Sequence, residues 1–304
     1  MRDIYQRQVS LLLETMPYIA EEQCFALKGG TALNLFFRDM PRLSVDIDLC
    51  YLPIQDRNAS FKSLHSSLKS IKSALEKNLQ CKVRPSQPLN SMQETRLVVE
   101  NADTHIKIEP NYVIRGALFP PVTKSLSTKA ASEFKVEIEC RCLDLADLMG
   151  GKICAALDRQ HPRDLFDIWY FQNNENWTRK IIDAFIYYLV SHNRPIHELL
   201  KPNLLPIQAS FDSDFSGMTT LNVTVNDLVE ARLKLIEDLG ANFKKTDKDF
   251  LISVSKGDPN WDLSYDFEFQ NKPSVKWKML NISKMSEQKK QEQTALLEQV
   301  LEHF

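Results

Sequence analysis

Two aspartates spaced two apart in an apolar run, preceded closely by a pair of glycines, constrain this chain more than any other feature. The run reads Arg42-Leu43-Ser44-Val45-Asp46-Ile47-Asp48-Leu49, and upstream of it lies Lys28-Gly29-Gly30-Thr31-Ala32-Leu33. On a strand, residues i and i+2 share a face, so Asp46 and Asp48 point together while Val45, Ile47 and Leu49 point into the core. The chain has only eight glycines in 304 residues, yet two are adjacent here. Convergent carboxylates beside a turn rich in free N–H groups can hold a divalent cation and a polyphosphate together. Either half alone is weak, because glycine pairs mark many tight turns and D-x-D is common on solvated strand faces. The order strand, Gly-Gly, helix, D-x-D strand is what points to a nucleotide.

The rest of the chain supplies a frame for that site. Helix-period apolar positions (Val9, Leu12, Leu13, Met16) predict a helix over 3–22. Cys24 to Leu27 reads as a short strand entering the glycine turn, Thr31 to Phe37 as the helix leaving it, and 42–51 as the carboxylate strand. A helix is expected over 60–79, then strands over 95–100 and 105–110 joined by a turn at Asn101-Ala102-Asp103. Residues 116–133, rich in Pro, Ser and Thr, read as a surface loop, and 134–140 as a strand. Helices follow over 144–160, with Asp144 as N-cap, and from Pro162 onward. Beyond about 180 the pattern is mainly helical, clearest over 181–190 and 225–239, with a mixed segment over 250–269 and a polar helix after 283. The expected organisation is a first domain over 1–200 and a mainly helical one over 201–304.

Composition is ordinary for a globular protein, with 43% hydrophobic and 26% charged residues. A net charge of −2 gives no global pull toward nucleic acid or anionic lipid. The six cysteines form no CxxC pair and read as buried thiols, and no two of the six histidines have zinc-helix spacing. No apolar run approaches the roughly 20 residues of a membrane span, and no apolar leader core follows Met1. The expected setting is the cytoplasm, away from any membrane.

Two further groups bear on chemistry. In Ile106-Lys107-Ile108-Glu109, Glu109 shares a strand face with Lys107 and can meet the two aspartates if the strands are neighbours. Three carboxylates suit a two-metal scheme; the plainer alternative pairs Glu109 with Lys107. Later, Gly150-Gly151-Lys152 opens a helical stripe of Lys152, Ala155, Ala156 and Arg159, followed by His161-Pro162-Arg163-Asp164-Leu165-Phe166-Asp167. Lys152 is a phosphate-binding candidate. The alternative is a helical hairpin tied by Arg–Asp pairs such as Arg159 with Asp167.

Taken in order, K-G-G-T-A-L, R-x-S-x-D-I-D-L, K-I-E and G-K-x-x-A-x-x-x-R-x-x-P-R-D-x-x-D resemble the AbiEii/AbiGii-type nucleotidyltransferases. These are toxins of type IV, AbiE-like toxin–antitoxin and phage-defence systems, in the polymerase-beta-like superfamily. The resemblance covers roughly residues 20–170. It implies an α+β fold, with a mixed sheet and flanking helices followed by a mainly helical C-terminal region. It also implies that Gly29, Gly30, Thr31, Ser44, Lys152 and Arg159 bind the nucleotide. Asp46, Asp48 and Glu109 would hold Mg²⁺ or Mn²⁺, Glu109 standing where related enzymes usually have aspartate. Lys152 takes the family's functional lysine, and Asp167, or else Asp164, its late aspartate.

The expected reaction is transfer of NMP from an NTP to an RNA acceptor, with the tRNA 3′ end foremost, under control of an antitoxin from a neighbouring gene. A protein or small-molecule hydroxyl is the alternative acceptor. A non-catalytic NTP-binding protein acting by partner occupation is the alternative class. Lys272, Lys276, Lys278, Lys284, Lys289 and Lys290, interleaved with Trp277, lean toward RNA, although a solvated helix face explains most of them equally well.

Overall fold

A computed structural model describes residues 3–91, 93–264 and 267–304. Two compact units emerge from the packing: 1–148 with 217–222, and 149–216 with 223–304. They cut the chain differently from the division at residue 200 expected from sequence.

The first unit is a mixed sheet with helices. Helix α1 (Asp3–Ala20) buries Val9, Leu12, Leu13 and Met16, as their spacing predicts. Strand β1 (Phe25–Lys28) leads into α2 (Gly29–Ala32), which continues as a π-type turn over Leu33–Phe37. Then come β2 (Asp46–Tyr51), α3 (Arg57–Asn78), β3 (Lys82–Pro85), β4 (Leu97–Glu100) and β5 (His105–Asn111). After them lie β6 (Val122–Ser125), α4 (Thr128–Phe134) and β7 (Glu139–Cys142). The strand order is β3-β4-β5-β2-β1-β7-β6. The central β2 runs antiparallel to β1 and parallel to β5, so it is held on both edges. Ile47 and Leu49 are fully buried, which leaves Asp46 and Asp48 half-buried on the opposite face.

Two expectations are corrected here. Residues 116–133 are not a bare loop but carry β6 and most of α4, whose N-cap Ser127 accepts a hydrogen bond from the Ala130 N–H. The strand expected over 134–140 begins only at Glu139, because Phe134 closes α4 and Lys135 adopts a left-handed φ of 53°. The carboxylate strand likewise starts at Asp46 and not at Arg42.

Residues 217–222 complete this unit from far along the chain. The Leu43 N–H donates to the Met218 carbonyl at 2.8 Å, Arg42 bridges Thr219, and Thr219 Oγ1 donates to the Pro41 carbonyl at 2.7 Å. The lead-in to the D-x-D strand is thereby clasped.

The second unit is helical. It contains the larger part of α5 (Leu145–Asp158), then α6 (Pro162–Asn174), α7 (Arg179–Ser191), α8 (Ile196–Leu200) and α9 (Gln208–Asp214). It continues with α10 (Val225–Asn242), α11 (Lys245–Lys256), α12 (Pro273–Ser283) and α13 (Glu287–Leu301). Phe166, Phe171, Phe185, Tyr187 and Phe250 are buried in its core. The mixed segment expected over 250–269 resolves into the end of α11, a left-handed Gly257 cap and short 3₁₀ turns; Tyr265 and Asp266 lie outside the described residues. Gly150 has a packing role: a Cβ there would lie 2.8 Å from Ala184 Cβ and closer still to the α7 backbone, so its absence lets α5 touch α7.

Candidate functional site

Register sets the geometry of the carboxylates. Asp48 is paired with Lys28 on β1 and with Glu109 on β5, while Asp46 is paired with Lys107. Partners in register share a face, so Lys28, Asp48 and Glu109 form one row across three strands. Arg96, the residue before β4, extends the row: its Nη1 lies 3.0 Å from Glu109 Oε1. The order is cation, carboxylate, carboxylate, cation. The alternative pairing of Glu109 with Lys107 is thus replaced by one with Arg96.

The glycine turn is built around this row. Gly29 has φ +71°, and a Cβ on it would stand 2.2 Å from Asp48 Oδ2, so the Asp48 carboxylate occupies space that any other residue would fill. A Cβ on Gly30 would meet Arg42 Nη2 at 2.7 Å and Ser44 Oγ at 2.9 Å. Thr31 is fully buried; its hydroxyl donates to the Asp46 carbonyl and lies 3.0 Å from Ser44 Oγ. Asn34 Nδ2 donates to the Gly30 carbonyl at 3.0 Å. Gly29, Gly30, Thr31, Ser44, Asp46 and Asp48 are therefore brought together. Thr31 and Ser44 stand behind the turn as struts tying it to β2.

Sequence reasoning passed over Lys28, Arg42 and Arg96. Lys28 precedes the glycine pair in sequence and faces Asp48 only through strand register. Arg42 is only 2% exposed, and its Nη1 donates to the Leu43 carbonyl at 2.8 Å. A buried guanidinium behind a glycine turn supplies fixed positive charge beside that turn. Arg96 had no sequence signal, because its role comes from strand register alone.

The second unit holds the other candidates, gathered among themselves. Lys152 Nζ lies 2.9 Å from both Asp164 Oδ1 and Asp167 Oδ2, and all three side chains are buried. Arg159, whose side chain is 63% exposed, reaches Asp164 Oδ2 at 2.8 Å. The Arg–Asp tie of the alternative reading is present, but it runs from Arg159 to Asp164 and not to Asp167. Burial works to raise the Asp164 pKa, yet Lys152 and Arg159 outweigh it and hold the carboxyl below its ordinary value. Pro162 occupies the first turn of α6, and the N-cap His161 accepts the Arg163 N–H on Nδ1 at 3.2 Å.

Asp46 and Asp48 on one face, with Glu109 in register, are the hard oxygen donors a divalent cation requires. The space kept clear by Gly29 seats the Asp48 carboxylate against the glycine turn, so the residues present fit a divalent cation at this face. Among the described residues, however, no three acidic, histidine or cysteine side chains are grouped as ligands, and Glu109 is engaged with Arg96. No helix among the described residues is long and apolar enough to cross a membrane.

The family model described as "Nucleotidyl transferase AbiEii toxin, Type IV TA system" matches residues 11–279. Among solved structures, the fold resembles MenT4, a nucleotidyltransferase toxin from Mycobacterium tuberculosis H37Rv, with a TM-score of 0.60 at 12% identity. That likeness covers 80% of this chain and 86% of the other. A comparison with curated proteins finds no match.

Proposed function

As this chain belongs to the AbiEii family of nucleotidyltransferase toxins from type IV toxin–antitoxin systems, we propose that it transfers NMP from an NTP to an RNA acceptor. The tRNA 3′ end is the proposed acceptor, Mg²⁺ (or Mn²⁺) the proposed cofactor, and the cytoplasm the setting. A cognate antitoxin from a neighbouring gene holds the toxin in check, and phage defence is its biological role. The observation that carries the site assignment is the seating of the Asp48 carboxylate against the Gly29 turn, with Asp46 on the same face.

In this reading the turn at Gly29 and Gly30 offers backbone N–H groups to the triphosphate, and Arg42 behind it keeps the turn electropositive. Thr31 and Ser44 hold the turn at a fixed distance from β2, so phosphate and carboxylates keep their register. Asp46, Asp48 and Glu109 would hold the metal, which when bound neutralises charge on the triphosphate and favours the attacking oxyanion. Lys28 flanks Asp48 and adds a cation on the same face. The acceptor hydroxyl attacks the α-phosphorus in line and pyrophosphate leaves. Lys152 and Arg159 are proposed as phosphate ligands, with Asp167 and Asp164 orienting the Lys152 ammonium.

Transfer of α-³²P label from each NTP to total tRNA, compared between the intact protein and Asp46→Ala, tests the proposal. Label that depends on Asp46 supports enzyme and acceptor together. Label on protein or small molecules alone would overturn the RNA acceptor. Full transfer by Asp46→Ala would overturn the site.

A further inference from the structure

Helix α12 buries one face and leaves the other without any folding task. Ser274, Val275, Lys278 and Ile282 are buried, and Lys278 Nζ is spent on the carbonyls of His192 and Arg194 at 2.8 and 2.6 Å, capping the end of α7. The opposite stripe carries Lys276, Trp277, Leu280 and, at the C-cap, Lys284, positions i, i+1, i+4 and i+8 of one helix. All four are exposed, Trp277 by 48% and Leu280 by 45%. Not one aspartate or glutamate stands between 269 and 286, in a chain whose net charge is −2. An indole held half in water between two lysines, with no carboxylate on the same helix, is complementary to a polyanion that also carries flat apolar rings.

We infer that this face of α12 is a docking surface for single-stranded RNA, with a base stacked on Trp277 and neighbouring phosphates met by Lys276 and Lys284. Stacking requires an unpaired base, because the faces of paired bases inside a duplex are covered by their neighbours. Leu280 extends the apolar platform one turn along, beside the same base or the next. The inference deepens the proposed RNA-directed function and rests on that reading.

The test is binding, measured separately from transfer. Fluorescence anisotropy of a short, unstructured, labelled RNA is followed against the full-length protein over a series of salt concentrations. Trp277→Ala should weaken binding by about fivefold to a hundredfold, the effect of losing one stacked base. Trp277→Phe, which keeps an aromatic face, should retain most of the affinity. Lys276→Gln and Lys284→Gln should each flatten the dependence of log affinity on log salt by about 0.7. Equal RNA binding by wild type and Trp277→Ala overturns the inference, as does an unchanged salt slope in both lysine variants. Loss of antitoxin binding in Trp277→Ala with RNA binding intact also overturns it and assigns the face to protein.

The two readings fail separately. RNA binding that needs Trp277, without transfer to RNA, leaves this surface standing and sinks the acceptor. Transfer to limiting RNA that is equal in wild type and Trp277→Ala does the reverse.

Discussion

Asp48 and Glu109 are direct partners across the parallel strands β2 and β5, yet Glu109 is turned onto Arg96 at 3.0 Å. The Arg96 and Glu109 side chains are 51% and 34% exposed, so the pair contributes under about 1 kcal/mol to stability. Its effect on ligands is larger in kind, because Arg96 competes with any cation for the same oxygens. Arg96→Ala should leave the urea midpoint nearly unchanged and tighten Mn²⁺ binding by up to about fivefold, as read by calorimetry. Weaker binding would show that Arg96 orients Glu109 toward the metal.

Gly29 is irreplaceable for two separate reasons. A side chain at φ +71° costs about 1–2 kcal/mol, and its Cβ would displace Asp48 Oδ2. Gly29→Ala should lower stability by about that amount in urea and reduce transfer by more than tenfold. Retention of full transfer would separate Asp48 from the reaction.

Lys152 neutralises two buried carboxylates at once. Lys152→Ala leaves Asp164 and Asp167 without its ammonium, a loss of about 3–5 kcal/mol in chemical denaturation. Survival of wild-type stability would mean that these carboxylates take up protons or water on losing it.

The lowered pKa of Asp164 gives the acid limb of stability its sign. Its folded value lies below the ordinary 3.8, so the unfolded chain takes up the proton first. The stabilisation is complete above 3.8 and is lost as pH falls through the folded value. Urea midpoints followed into that range should fall more steeply for wild type than for Asp164→Asn.

Lys278 acts in the opposite pH range. Burial pushes its pKa down from 10.5 to about 8, with Glu198 opposing. Between those values the unfolded chain holds a proton that the folded one has released, so stability rises with pH across the interval. The stability difference between wild type and Lys278→Met should therefore shift in favour of wild type from about pH 8 to 10.5. A difference that stays flat would mean that Lys278 remains charged while capping α7.

Local pattern carried the core of the site to the reader. Alternation around Asp46 and Asp48, and the glycine punctuation before them, are short-range signals, and both correspond to β1, the turn and β2. Strand β3 escaped because Lys82-Val83-Arg84-Pro85 buries a single side chain and lies at the sheet edge. Strand β6, with Val-Thr-Lys-Ser half exposed at the other edge, has the composition of a loop. Arg96 and Thr219 were invisible for another reason: their partners are set by register and by chain return across 13 and 178 residues. The Lys152 stripe was legible as a stripe, but its occupancy by two carboxylates depends on how α6 turns after Pro162.

The clasp from 217–222 bears on how the protein is born. Met218 and Thr219 secure Leu43, Arg42 and Pro41, the residues immediately ahead of the D-x-D strand. A nascent chain synthesised at roughly 5–20 residues per second has Asp46 and Asp48 out of the ribosome many seconds before that clasp emerges. Until then the strand's lead-in lacks its partner. A truncated product ending before residue 217 would carry every signature of the site and still lack its fastening.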